Sequence, residues 1–269
     1  MLTLHRAASL TSRVGQLSSN VRHHMNARST TLFHFTSKVR FLKTILSTGF
    51  VARYCTEDIA WLGFNEGKFA AYPMVCFCDI PLSRISTHIS FYGSYGLGMT
   101  KEWALRSGLA PVLYAPRGSP VTKVVDDLFS QHSLAFNTKN VKRRTHRENL
   151  LVSALAFTKP LQGKMQRRGK QVDKDFYQES EWRYVPNVQV DRLVLQDRLA
   201  PERDALNFAA AKFPLNFNAQ DVRYIFVKHE SELASAHAFI TKCLAARSAD
   251  ERAVLATRLV SLEALAADV

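Results

Sequence analysis

The sequence predicts an α+β domain of mainly antiparallel sheets with flanking helices, followed by further helices at the C-terminal end. Three stretches carry that prediction. Phe176–Pro186, FYQESEWRYVP, alternates like a strand. Thr31–Thr36, TLFHFT, is a short strand that runs directly into a segment of helical periodicity. Glu230–Ala246 and Asp250–Ala266 read as two Ala/Leu-rich amphipathic helices closing the chain.

In FYQESEWRYVP, strand alternation puts Glu179, Glu181, Arg183 and Val185 on one face and Ser180, Trp182, Tyr184 and Pro186 on the other. Two carboxylates and a guanidinium then share a face, with two aromatics anchoring the opposite one. The plain alternative is a solvent-exposed edge strand whose Glu181 and Arg183 form an ion pair of little worth.

In TLFHFT, Leu32, His34 and Thr36 share one face, and Phe33 and Phe35 the other. Val39, Phe41, Leu42, Ile45 and Leu46 then follow at helical spacing, with Ser37 as the expected N-cap and Gly49 as the C-cap. His34 is either a satisfied core histidine or part of a cleft wall. Pro73–Pro81, PMVCFCDIP, reads as a buried strand whose Asp79 forms a turn or caps the next helix. Ser86–Thr100 carries His88, Tyr92, Tyr95 and three glycines but no phosphate-loop or dinucleotide fingerprint. Its glycines suit a backbone passing close to flat rings. Lys101–Ser107 reads as a short helix, Ala110–Ala115 as a strand and Glu148–Thr158 as an apolar helix. The segment 163–175 reads as a mobile loop and Val188–Leu195 as a strand. A weakly defined linker leads to Pro214, and Val222–Lys228 is a strand.

A chain of 269 residues with 46% hydrophobic content can bury a sizeable core, which excludes global disorder. Its formal charge of +13 calls for an anionic partner: nucleic acid, a phosphate-bearing ligand or a membrane surface. Between Lys139 and Lys170 there are ten Lys/Arg against a single acid, Glu148. Lys142, Arg143, Arg144, Arg147, Arg167 and Arg168 are the candidate nucleic-acid contacts, unless they form an ordinary solvated basic face. Cys55, Cys76, Cys78 and Cys243 make no disulfide framework and read as reduced, cytoplasmic thiols. Cys76 and Cys78 lack the partner spacing of a metal site, so no metal is expected. No apolar run approaches the roughly 20 residues of a membrane span, so no membrane partner is expected.

Residues 1–24 mix Ser, Thr, Arg and His, and no acid precedes Glu57. They read as an Arg/Ser-rich transit peptide or, in preference, as sequence upstream of a start at Met25: a disordered or non-native extension. The folded domain is expected over 25–245, with a C-terminal helix over 246–269.

LFHFTSKVRFLKTILSTGF, PMVCFCDIPLSRISTHISFYGSYGLGMTKEWALRSGLAPVLY and YQESEWRYVP, in that order, resemble the AbiGi-type abortive phage infection family over about residues 25–245. That resemblance implies a bacterial, cytoplasmic protein in a phage-defence toxin–antitoxin pair. The family is described as the antitoxin half, and its usual toxin is a nucleotidyltransferase.

More distantly, HFT followed by LKTILSTGF is similar to the opening of ADP-ribosyltransferases of the DarT and RNA 2′-phosphotransferase types. This resemblance implies an ADP-ribosyltransferase-like fold and NAD as substrate. His34 and Thr36 would hold the nicotinamide ribose, and Tyr92 or Tyr95 would stack on nicotinamide. Glu181 would be catalytic and Glu179 would prepare the acceptor, with His88 and Arg183 as further cofactor-binding candidates. The middle motif of those families has no clear counterpart here. Three readings follow: an ADP-ribosyltransferase-like enzyme, a non-catalytic antitoxin binding its toxin or DNA through a basic surface, and a nucleic-acid-binding module that keeps the cleft as scaffold.

Overall fold

The computed structural model describes residues 29–62, 69–131, 146–167, 170–186 and 193–268. Residues 1–24 and Met25 lie outside them, as do Lys142, Arg143, Arg144 and Arg168.

The architecture is α+β and mainly antiparallel. β1 (Thr31–Thr36) enters α1 (Val39–Thr48), and β2 (Arg53–Asp58) precedes the long β3 (Phe69–Cys78). α2 (Ile85–Tyr92), β4 (Tyr95–Thr100) and α3 (Lys101–Arg106) follow, then the short β5 (Ala110–Pro111) and β6 (Leu113–Ala115). After α4 (Pro120–Gln131) and α5 (His146–Ala156) come β7 (Thr158–Pro160), β8 (Gln162–Arg167), β9 (Lys170–Asp175) and β10 (Glu181–Tyr184). The chain closes through β11 (Val194–Leu195), α6 (Gln196–Ala210), β12 (Val222–Val227), α7 (Leu233–Cys243), α8 (Ala249–Ala256), β13 (Leu259–Ser261) and α9 (Leu262–Asp268).

The central sheet runs β13-β12-β4-β1-β3-β10-β5, with β2 and β11 also paired to β3. Every pairing in it is antiparallel except β12 with β13. β1 shows how the sequence builds both faces. Leu32 joins a core under α1, α3 and α7, while Phe33 and Phe35 join a second core with Ile85 and Leu262. β4 packs tightly against β1 because it carries glycines. A Cβ on Gly96 would lie 2.7 Å from the Phe35 ring, and one on Gly98 would lie 2.8 Å from the Tyr224 ring. The glycines beside aromatics therefore make room for the protein's own rings.

Several expectations are corrected. FYQESEWRYVP is not one strand: Phe176–Glu179 forms a 3-10 turn, and Ser180 takes a left-handed conformation (φ 44°). Only Glu181–Tyr184 enters the sheet. β10 is no solvent edge, since it lies between β3 and β5 and buries Arg183 completely. The expected loop 163–175 forms the β8–β9 hairpin. The expected linker before Pro214 contains α6, and Val188–Leu195 contributes only β11 to the described residues. Ala110–Ala115 divides between two sheets, with β6 paired to β7. Ser37 does not cap α1; Lys38 holds that position without a side-chain bond. The expected C-terminal helix over 246–269 is α8, β13 and α9, whose middle strand extends the sheet beside β12.

Candidate functional site

β1 and β3 register only at Phe33 and Cys78. Beyond that pair the strands part, which frees backbone groups that the ladder would otherwise satisfy. His34 Nδ1 lies 2.8 Å from the freed Cys76 carbonyl oxygen. A carbonyl only accepts, so Nδ1 carries the proton and Nε2 is left as an acceptor. Burial holds the imidazole below its usual pKa, with the Cys76 bond opposing it in part, so His34 is neutral at pH 7.

A cavity of about 600 Å³ opens where the strands part. β1 supplies His34 to its lining, α2 supplies His88 and Tyr92, and the turn into β10 supplies Glu179 and Glu181. Lys159 of β7, Glu57 of β2, Met165 of β8 and Arg203 of α6 complete the charged and hairpin-side wall. The volume is within the range of small-molecule sites.

The carboxylates here are tightly held. Glu181 accepts from Arg183 Nε at 2.7 Å, from Arg183 Nη2 at 3.0 Å and from Lys159 Nζ at 2.9 Å. Its backbone N–H donates to the Tyr114 hydroxyl at 2.9 Å. Burial alone would push the Glu181 carboxyl up, but Arg183 and Lys159 together hold it well below the usual carboxylate range. Arg183 also donates to Glu57 at 2.9 Å and to the Ala156 carbonyl at 2.6 Å. Glu179 accepts a short hydrogen bond from the Tyr92 hydroxyl and faces Lys174 at 3.3 Å and Lys159 at 3.6 Å. Burial and the neighbouring Glu179 push the Tyr92 phenol far up, so it remains a donor. His88 packs on Tyr92 with centroids 4.5 Å apart. Burial, and then Lys174, lowers its pKa to about 4, so it too is neutral.

Thus His34, His88, Tyr92, Glu179 and Glu181 line one cavity although they are widely separated in the sequence. Arg183 sits behind it, bonded to Glu181. Thr36 and Tyr95 are not brought in. The Thr36 hydroxyl is engaged at the start of α1, 3.4 Å from the Lys38 nitrogen, and the Tyr95 hydroxyl donates to Glu232 at 2.7 Å. Glu179 reaches the cavity from a turn rather than from the same strand as Glu181. Of the basic candidates, Arg147 falls in the first turn of α5 and Arg167 at the end of β8.

Sequence reasoning missed Lys159, Glu57 and Arg203. The polar run Arg53–Asp58 gave little strand signal, and Lys159 stood alone after an apolar helix. Among the described residues no cluster of His, Cys, Asp and Glu is arranged to hold a metal ion.

A family model described as "Putative abortive phage resistance protein AbiGi, antitoxin" matches residues 48–228, more than half of the chain. The chain belongs to the AbiGi family. A curated relative, the abortive phage resistance protein AbiGi of Lactococcus lactis subsp. cremoris, is 29% identical over 206 residues, covering 66% of this chain and 82% of the relative. Within the segment matched to AbiGi lie Glu57, His88, Tyr92, Lys159, Glu179, Glu181 and Arg183, whereas His34 and Thr36 precede it. No solved structure matches the chain. No helix among the described residues is long and apolar enough to cross a membrane.

Proposed function

We propose that this AbiGi-family chain acts in phage defence through an ADP-ribosyltransferase-like cavity that takes NAD as substrate. One observation carries the reading. His34, Tyr92, Glu179 and Glu181 reach a single cavity from three separate stretches of chain. Arg203, an exposed cation in the lining, can face the phosphates of such a ligand, while Nε2 of neutral His34 accepts from a ribose hydroxyl.

Breaking the nicotinamide glycosidic bond builds positive charge on the ribosyl carbon, as in glycoside hydrolysis. Nicotinamide departs neutral from a cationic ring, so no general acid is needed. A fixed carboxylate opposite the developing charge lowers the barrier without reorganising. Glu181 suits that role because Arg183 and Lys159 keep it ionised and immobile. Glu179, hydrogen-bonded by Tyr92, is the carboxylate on the acceptor side.

The test is incubation of the full chain with adenylate-labelled NAD, alone and with cell lysate or nucleic acid, following nicotinamide release and label transfer. Wild type should release nicotinamide, and Glu179→Gln and Glu181→Gln should abolish release or transfer while circular dichroism stays native. A wild-type chain that neither binds nor cleaves NAD overturns the reading.

A second reading has its own support. Three N–H donors occupy both oxygens of Glu181, as in a structural ion cluster, and the family description names an antitoxin. On that reading the chain neutralises a cognate nucleotidyltransferase toxin or binds DNA through its basic surface. Glu179→Gln and Glu181→Gln would then be silent in a phage-restriction assay, and charge changes on the surface would break neutralisation.

A further inference from the structure

The exposed side of α1 has a composition that its fold role does not require. Leu42 and Leu46 bury its apolar stripe in the core. The remaining surface carries Arg40 and Lys43, with Lys38 at the cap, and the helix contains no acid. Among the described residues no carboxylate pairs with any of these three cations. Elsewhere the cations Arg106, Lys101 and Arg247 are each met by an acid.

Aromatic rings are interleaved with these charges. Phe41 is 42% exposed, and the Arg40 guanidinium lies 4.9 Å from its ring centroid. Lys43 Nζ lies 5.0 Å from the centroid of Phe239 on α7, and Lys242, three residues further along α7, shares that helix side. The hydroxyls of Thr44, Ser47 and Thr48 donate to carbonyls of their own helix. What remains free to meet a partner is positive charge and one flat apolar ring.

We propose that this face of α1 is a docking surface for single-stranded nucleic acid. Unpaired cations suit a phosphate backbone, and an exposed ring flanked by a guanidinium suits an unstacked base. A duplex keeps its base faces covered and could use only the charges. An anionic membrane would need an apolar stripe to insert, and that stripe is already in the core. The inference uses no residue of the 139–170 basic segment and does not depend on the chemistry of the cavity.

The test is fluorescence anisotropy of the full chain with a labelled oligothymidylate of about 20 nucleotides, titrated at several salt concentrations. Each lost phosphate contact should reduce the slope of log affinity against log salt by about 0.7 for a single strand, so Lys38→Gln/Arg40→Gln/Lys43→Gln should flatten it by about 2. Phe41→Ala should weaken binding roughly tenfold with the slope unchanged, because it removes stacking and not charge. Lys38, Arg40 and Phe41 are exposed, and Lys43 is half-buried beside Phe239, so the variants should keep native circular dichroism with at most a small fall in melting temperature. No oligonucleotide binding by wild type, an unchanged slope in the triple variant, or undiminished binding by Phe41→Ala each overturns the proposal. So does binding to phosphatidylserine vesicles without binding to the oligonucleotide.

Discussion

Replacing Arg183 by Met should cost more stability than almost any other single polar change in this chain. The side chain is fully buried and makes two bonds to Glu181, one to Glu57 and one to the Ala156 carbonyl. Removing one partner of a buried pair strands the other, at about 3–5 kcal/mol. Lys159 remains 2.9 Å from Glu181 and 3.5 Å from Glu57, which places the loss near the lower end, about 3 kcal/mol. For a chain of this size that is a fall in Tm of roughly 6–12 °C. Urea denaturation followed by tryptophan fluorescence measures the difference directly.

The pH dependence gives the argument a sign. Glu181 has a depressed carboxyl pKa in the folded chain, so its stabilisation is fully present above the ordinary carboxylate range and is lost progressively as pH falls from there through the lower folded-state pKa. The gap between wild type and Arg183→Met should therefore begin to narrow below about pH 6 and go on narrowing below about pH 3. Adding Glu181→Leu to Arg183→Met should recover much of the loss, because Lys159 and Glu57 can still pair with each other. A gap below about 1 kcal/mol at pH 7, or one that does not change with pH, would refute the reasoning.

Two further outcomes follow from the same geometry. Gly93 has φ 123°, and a Cβ there would meet the Thr36 carbonyl oxygen at 2.2 Å, so Gly93→Ala should destabilise by more than about 1 kcal/mol in a denaturant melt, and by more than Gly108→Ala, where φ 77° strains the backbone but a Cβ meets nothing. Alkylation at pH 8 should modify exposed Cys243 in the native chain, while Cys55, whose thiol burial and Glu57 push up to about 11, reacts only after denaturation; mass spectrometry of the labelled peptides tells the two apart.

What the sequence made legible was local. The bounds of β1 follow from its alternation and the polar break after Thr36, and the end of α1 follows from Gly49 at φ 81°. α6 was not readable, because QDRLAPERDALNFAA has Pro201 inside it and little periodicity. The C-terminal Ala/Leu pattern continues through Thr257 and Arg258, and nothing local marks Leu259–Ser261 as a strand; the edge of β12 makes it one. For the site, His34, Glu179 and Glu181 stood out as unusual residues on strand-like segments. Their charge partners did not, since Glu57 and Lys159 acquire meaning only when β2 and β7 are brought beside β10. Tyr92 and Tyr95 differ by three positions, and only tertiary placement sends one to the cavity and the other to Glu232.

β3 has a mechanical consequence. Its ten residues serve two sets of neighbours: the first part pairs with β2 and β11, and the last part with β1 and β10. Cys76–Cys78 at its end line the cavity, while its first part holds β2, which supplies Tyr54–Glu57 to another wall, so one continuous strand ties the two walls together. Widening the gap would mean unzipping a ladder from Val75 to Cys78 that also carries Glu181 and Arg183. The β8–β9 hairpin makes no strand pairing with β3 and is held instead through the Lys164 N–H on Asp58 and through Lys174 on Glu179. A change in the sheet would therefore be felt at both walls together, whereas a change in the hairpin would be felt at one.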